Sequence, residues 1–465
     1  MARMTATATP TRAPSLLARE HLPFAVGAVA LVTLGAFENR AVLTVLPTVA
    51  ERLGGLWLFG AASAAPMISF VLATAVAGSW ADRRGPLEPM YAGLGLFVLG
   101  QLAMGLAPSM PVVVAGRIGG GLAEGLIDIA LVVLMARALP EELRAKVFAA
   151  FAAAWVLPSV VGPSVAGLVA ERLGWRAVFL IAPALVVPAY ALLRPAMAQT
   201  RASLPAPSRW SADERRAVAA AGAVALALAA LTVGGSLLTR GGSVALVGVT
   251  ASLAGLLLLV PATRFVLPPG VLTAARGIPA VIALRGLLAA AFGLVGAYLP
   301  LMLTTVHGLR PAAAGISLTV TGVFWAAGSQ IHGLGAVQRH VEAVRRLRIG
   351  FSLIAVGVFG PALLSLQLIP LWAGLGLWAV AGLGMGLSSP TLSTQMLALS
   401  PTTVQGRNTA AGNVTGSVTQ SVTLGAAGAL VAWQTPSLPG WLFAAVMASG
   451  GIFGLAGAVL ASRAR

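Results

Sequence analysis

The chain has 465 residues, of which 58% are hydrophobic and only 9% charged, and its mean hydropathy is +0.91. Soluble domains carry about 25% charged residues, so a water-soluble fold is excluded and an all-α polytopic membrane protein is expected. The formal charge of +17 stands beside zero cysteines and a single lysine, Lys146; disulfides, thiolate metal sites, iron–sulfur clusters and a phosphate loop ending in Gly-Lys-Ser/Thr are excluded with them.

Residues 1–21 form a polar tail with Arg3, Arg12 and Arg19, and the apolar segment that follows is too long for a cleaved signal peptide and lacks its flanks. Apolar windows of about 20 residues then mark spans. Six lie near 22–49, 55–80, 88–107, 110–137, 145–170 and 176–197. A polar segment, 198–216, follows, rich in Arg, Pro and Ser. Two more spans come at 217–238 and 242–263, within a section bounded at 217–265; they carry few polar residues and belong at the periphery. The last six, near 278–306, 311–334, 347–367, 370–398, 409–433 and 440–462, complete a second bundle over 278–462. The expected architecture is fourteen spans, two six-helix bundles (22–197 and 278–462) with two extra helices between them.

The basic residues test this count. With the N-terminus inside, 22 of the 30 fall on the cytoplasmic side, five outside, and three, Arg40, Arg117 and Arg285, within spans. Only one orientation satisfies the positive-inside rule, and an even number of spans puts both termini in the cytoplasm. Trp57, Trp80, Trp175, Trp372, Trp433 and Trp441 fall near span ends, as an interfacial belt requires. The basic charge is thus explained by topology, and nucleic acid is not an expected partner.

Charge at membrane depth needs a counter-ion or a wet cavity. Glu38, Asn39 and Arg40 lie in the first span. In the fourth, Arg117, Gly121, Glu124 and Asp128 follow i, i+4, i+7, i+11 and share a helical face. Counting about 1.5 Å per residue puts Glu38 and Arg117 at similar depth, with Arg40 and Arg117 as candidate charge partners for the acids. Desolvation favours a neutral carboxyl and a nearby arginine an ionised one. Exposing such a group first to one side and then to the other therefore changes its hold on a proton, and Glu38, Asp128 and Glu124 are candidate proton carriers. In the second half, Gln395 lies in a serine- and threonine-rich span, and Asn413, Ser417 and Gln420 share one face of the next; with Asn39 they are candidate cavity residues, although uncharged polar groups also serve as interhelical glue. No nucleophile elbow, HExxH helix or metal-ligand cluster occurs, so neither an enzyme, a cofactor nor a metal is expected.

Between spans two and three, Gly78, Asp82, Arg83 and Gly85 match the G-x-x-x-D-R-x-G loop signature of the major facilitator superfamily, with Pro86, Leu87 and Glu88 where basic residues are usual. Arg117 and Gly121 resemble its fourth-span signature. Gly162, Pro163 and Gly167 are similar to its antiporter signature in span five, with Pro158 and Ala166 as departures. Glu38, nine residues before Pro47, looks like the acidic signature of the fourteen-span drug:proton antiporters, with Arg40 in place of a small polar residue. The resemblance implies the major facilitator fold, a conformational latch at the loop, and a monomeric, proton-coupled exporter of amphipathic or drug-like molecules in a bacterial cell membrane. An exporter or flippase of a lipid or dedicated metabolite on the same fold, and a non-transporting scaffold or sensor, are the alternatives.

Overall fold

In hydrocarbon every backbone N–H and C=O must be satisfied within the chain, and long helices do this. A computed structural model describes residues 21–140, 156–201, 210–401 and 405–465, with Ala18, Leu143, Val147, Ala150, Phe151 and Ala154 as single positions. Among the described residues there is no strand. The first half comprises α1 (Leu22–Arg52), α2 (Phe59–Arg84), α3 (Leu87–Gly105), α4 (Met110–Ala138), α5 (Val156–Leu173) and α6 (Trp175–Arg201). A hairpin of α7 (Ala212–Leu237) and α8 (Gly242–Val266) follows. The second half comprises α9 (Ile278–Thr305), α10 (Pro311–Gly333), α11 (Ala343–Ser365), α12 (Leu371–Leu399), α13 (Gln405–Gln434) and α14 (Gly440–Leu460).

Among the described residues, twelve of these helices are long and apolar enough to cross a membrane. Fourteen were expected from the sequence. The difference is α5, where the expected span starts outside the described residues, and α13, the most polar of the long helices. The tail with Arg3, Arg12 and Arg19, the Arg144–Lys146 stretch and residues 202–209 of the expected 198–216 linker also lie outside the described residues. That linker is shorter than its composition suggests. α6 continues to Arg201, and α7 starts at a capping box in which Ser211 and Glu214 satisfy each other's backbone N–H groups. Gly85 and Gly174, both at positive φ, make the turns after α2 and α5 that other residues resist.

Within the first half α1 packs on α5 and α6, and α4 on α2 and α3; within the second, α11 packs on α12 and α14, and α9 on α13 and α14. The halves meet along two seams, α5 with α10 and α2 with α13. α7 lies in the second seam, against both α2 and α13, and α8 packs on α7 with apolar side chains such as Leu257 and Phe265 facing outward.

The two seams close at one end of the molecule. Any side chain on Gly60 would collide with the backbone of Gly428, and Gly167 stands in the same relation to Ala312. Tyr298 Oη donates to the Leu424 carbonyl at 3.0 Å and packs against Phe59 at 5.2 Å. Glu171 Oε1 accepts from the Ala312 N–H at 3.0 Å, and the Ser164 and Thr319 hydroxyls are 2.9 Å apart. These contacts engage the C-terminal ends of α5, α9 and α13 and the N-terminal ends of α2 and α10. There the buried side chains of both halves form one continuous core. At the other end the first half keeps a separate core, built around Phe24, Leu87, Leu134 and Leu193.

Candidate functional site

On the far side of the closing contacts, α1, α2, α4, α9, α10, α12 and α13 surround a central cavity of about 390 Å³. Asn39 and Arg40 enter its wall from α1, and Glu124 and Asp128 from α4. Arg285 and Phe292 come from α9, Trp325 from α10, and Asn413, Ser417 and Gln420 from α13. The sequence spacing explains this: residues three, four or seven apart share a face, so Glu124 with Asp128, and Asn413 with Ser417 and Gln420, turn to the same space.

Glu38 stands behind this wall. Its Oε1 accepts from Arg117 Nη1 at 3.1 Å, and Arg117 Nε donates to the Ala62 carbonyl of α2 at 3.1 Å. The pair is withdrawn from solvent, with 2% of the Arg117 side chain and 10% of Glu38 exposed. One arginine therefore ties α4 to α1 and α2 together. Gly121 and Gly125 make this possible, because a side chain at 121 would strike Pro66 and Ser69, and one at 125 would strike Ala73. A second, smaller cavity of about 30 Å³, lined by Glu38, Glu124, Asp128, Leu94 and Phe97, connects the pair to the carboxylates on the central wall. It has room for a water molecule and three carboxyl groups to bind one.

Arg40, a candidate charge partner for the acids, makes no ion pair with an acid among the described residues. Two residues on from Glu38, it lies roughly 200° further round the helix, so the two side chains point to different spaces. Its guanidinium lies 5.3 Å from the centre of the Trp325 ring, and its buried Nε has no hydrogen-bond partner. Trp325 is packed edge-on to Phe292 at 5.7 Å, and Phe292 is stacked on Trp378 at 5.0 Å. Gln395 departs from the expected cavity position: it is half-buried but is not part of the wall, where α12 instead presents Met385, Ser389 and Leu392. Arg285 contributes to the wall and donates to Ser393 Oγ at 3.2 Å. Glu124 and Asp128 have no ion-pair partner among the described residues.

The antiporter-like residues sit at the α5–α10 seam. Gly167 abuts Ala312, the Pro163 carbonyl abuts Gly315, and Gly162 faces Phe37 and Arg40. Of the loop-signature residues, Gly78, Asp82 and Arg83 lie in the last turns of α2 and only Gly85 beyond it; Gly78 opens onto empty space and Asp82 is exposed, with no partner among the described residues. Arg83 is buried. Its Nη2 lies 2.7 Å from Glu214 Oε2, and its guanidinium sits 4.1 Å over the Trp210 ring. Beside it Glu88 accepts from Trp80 Nε1 at 2.7 Å and pairs with Arg84 at 3.4 Å.

The aromatic wall and the Trp210–Glu214 clamp are absent from the sequence reading. One signal was available for the former: Trp325 and Trp378 fall mid-span, where no interfacial belt explains a tryptophan. Nothing local links residue 83 to residues 210–214.

Two bundles of membrane-length helices, closed at one end over a charged central cavity, define a polytopic membrane protein with an internal binding space. The match to the Major Facilitator Superfamily covers residues 28–424, and the chain belongs to that family. A "Probable multidrug-efflux transporter" of Mycobacterium tuberculosis is 29% identical over 176 residues, 38% of this chain and 37% of that protein. Multidrug resistance protein 3 of Bacillus subtilis is 27% identical over 154 residues, 32% of this chain and 29% of that protein. The multidrug efflux pump SdrM of Staphylococcus aureus is 24% identical over 156 residues, 34% of this chain and 35% of that protein. The matched stretches thus span about a third of these bacterial relatives. Among solved structures, a POT family transporter in complex with a thioalcohol-conjugated peptide superposes with a TM-score of 0.68 at 14% identity, covering 94% of each chain. A peptide transporter POT in complex with sulfate gives 0.67 at 16%, covering 95% of this chain and 94% of that one. These likenesses establish the fold.

Proposed function

We propose that the chain is a proton-coupled exporter of amphipathic or drug-like small molecules, working by alternating access. The observation that carries this reading is the pair Glu124 and Asp128: two carboxyl groups in the wall of the central cavity, without counter-ions among the described residues, joined through a small inner cavity to the Glu38–Arg117 pair. Buried acids are costly, and a role as proton carriers accounts for keeping them. A scaffold or sensor would be expected to pair its buried charges and exclude water, and this wall favours transport instead. The antiporter-like glycines at the closed seam and the multidrug-efflux names of the relatives support the direction of export.

On this reading the chain crosses a bacterial cell membrane fourteen times in a six-two-six arrangement, with both ends cytoplasmic. It acts as a monomer, without a cofactor and without catalysing a reaction. The outer ends of the halves are closed and the cavity belongs to the cytoplasmic side. Protons entering from outside discharge Glu38 and Asp128, with Glu124, and are exchanged for substrate as the halves rock. Substrate added to purified, reconstituted protein releases protons, and the release is lost in Glu38→Gln and in Asp128→Asn. Normal pH-driven transport by both variants would overturn the mechanism.

A further inference from the structure

The charges in the central cavity narrow the class of molecule that fits it; this step rests on the reading of the cavity as the transport path. A guanidinium offers five N–H donors. Among the described residues Arg40 spends none of its donors and Arg285 spends one, on Ser393. The two arginines reach the same cavity from α1 and α9, that is, from different halves. Glu124 and Asp128 reach it from α4, and no cation in the wall lies within ion-pair distance of either. Two guanidiniums and two carboxyl groups thus share about 390 Å³ without pairing with one another. A bound cation alone leaves both guanidiniums unmatched and repelled. A bound anion alone leaves the carboxylates so. Each unmatched group costs the desolvation that a partner would offset.

We propose that the transported molecule is an amphipathic zwitterion. Its oxyanion, a carboxylate, sulfonate or phosphate group, is held by Arg40 and Arg285. Its ammonium is held by Glu124 and Asp128, and its apolar body lies against Phe70, Phe292 and Leu392. The volume suits a drug-sized ligand. Arg40 is pre-set for the task, since stacking on Trp325 fixes the guanidinium while leaving its N–H edge free. Exchange fits this arrangement too: a proton on Glu124 or Asp128 discharges the ammonium's partner, while Arg40 and Arg285 keep their charges.

The test uses four dansyl probes that differ only in the head group: sulfobetaine, trimethylammonium, sulfonate and neutral hydroxyl. Their binding to the full chain in lipid nanodiscs is read by fluorescence with no pH gradient. The sulfobetaine binds about ten-fold tighter than each of the others. Arg40→Gln and Arg285→Gln each remove about ten-fold of the preference for zwitterion over cation, and Asp128→Asn removes the preference for zwitterion over anion. Equal binding of cation and zwitterion to the unaltered chain overturns the proposal, and this needs no variant to fold. Retained preference in both arginine variants also overturns it. A zwitterion preference without proton release upholds it and sinks proton-coupled export. Proton release elicited by the cationic probe alone does the reverse.

Discussion

The two halves furnish the cavity differently. The wall from α1, α2 and α4 carries Arg40, Glu124 and Asp128, with the Glu38–Arg117 pair behind it. The facing wall from α9, α10, α12 and α13 carries one charge, Arg285, among amide and hydroxyl side chains and two rings, Phe292 and Trp325, with the buried Trp378 stacked behind Phe292. Ionic chemistry is concentrated on one half, and shape and neutral hydrogen bonding on the other. In a rocking transporter the distinction matters, because the charged wall can change its exposure to water as one rigid body. A ring of the second wall meets the first where Arg40 lies over Trp325.

The sharpest way to break this asymmetry is to delete one arginine from each half. Arg117→Leu leaves Glu38 buried without its partner, and loss of about 3–5 kcal/mol of stability is expected. Adding Glu38→Leu recovers most of it, because a buried pair replaced as a unit is often close to neutral. Arg285→Leu removes a cavity-facing group with one hydrogen bond and costs about 1 kcal/mol or less. Thermal unfolding of the purified variants gives the comparison. Equal losses at the two sites would show that the second half also depends on a buried charge.

A smaller effect is expected where the halves close. Gly60→Val and Gly167→Val place a branched side chain against backbone on the partner half. Overpacking of this kind costs about 1–3 kcal/mol, which would shift the equilibrium between closed and open outer ends by roughly five- to 140-fold. The chain has no cysteine, so Ser417→Cys in the cavity provides a clean reporter. In inside-out vesicles its reaction with an impermeant thiol reagent slows when either valine is present. Unchanged reactivity would mean that these glycines do not set the conformation.

Next comes the point of contact between the walls. Trp325→Ala removes the ring beneath Arg40 and the edge-on partner of Phe292. A cation–π contact of this kind contributes about 0.5–2 kcal/mol, so substrate affinity falls by a similar amount while stability changes less than in Arg117→Leu. Titration of a fluorescent substrate measures it. A variant that binds normally would assign the ring to packing alone.

Much of this was readable in the residues. Span positions follow from hydropathy and the arginine bias because the bilayer permits few alternatives to helices of fixed length. Asn39, Asn413, Ser417 and Gln420 stand out as polar groups at helical spacing within apolar runs, and all four stand in the cavity wall. What escaped depends on rotation and long-range packing. Which of Glu38 and Arg40 faces the central cavity was fixed by the orientation of α1, and Arg40's neighbour Trp325 lies 285 positions further along the chain. Gln395 shows the converse: a polar residue in the right helix, one step round from the face that reaches the cavity.

The weakest expected effect lies outside the cavity, at the seam where the first half meets the hairpin. Arg83 is 6% exposed, yet its carboxylate partner Glu214 is 30% exposed and its aromatic partner Trp210 lies at the surface. A half-open pair of this kind is screened by salt and contributes little to stability. Its position gives it another use. α7 packs against α2 and α13 together, so any change in how Arg83 is held bears on both halves. Glu214→Gln and Trp210→Ala are therefore expected to leave unfolding almost unchanged while altering the transport rate, and high ionic strength should erase the difference between Glu214→Gln and the unaltered chain. A rate unaffected at low salt would make the clamp a surface contact only, and would leave the asymmetry of the two walls as the sole division of labour between the halves.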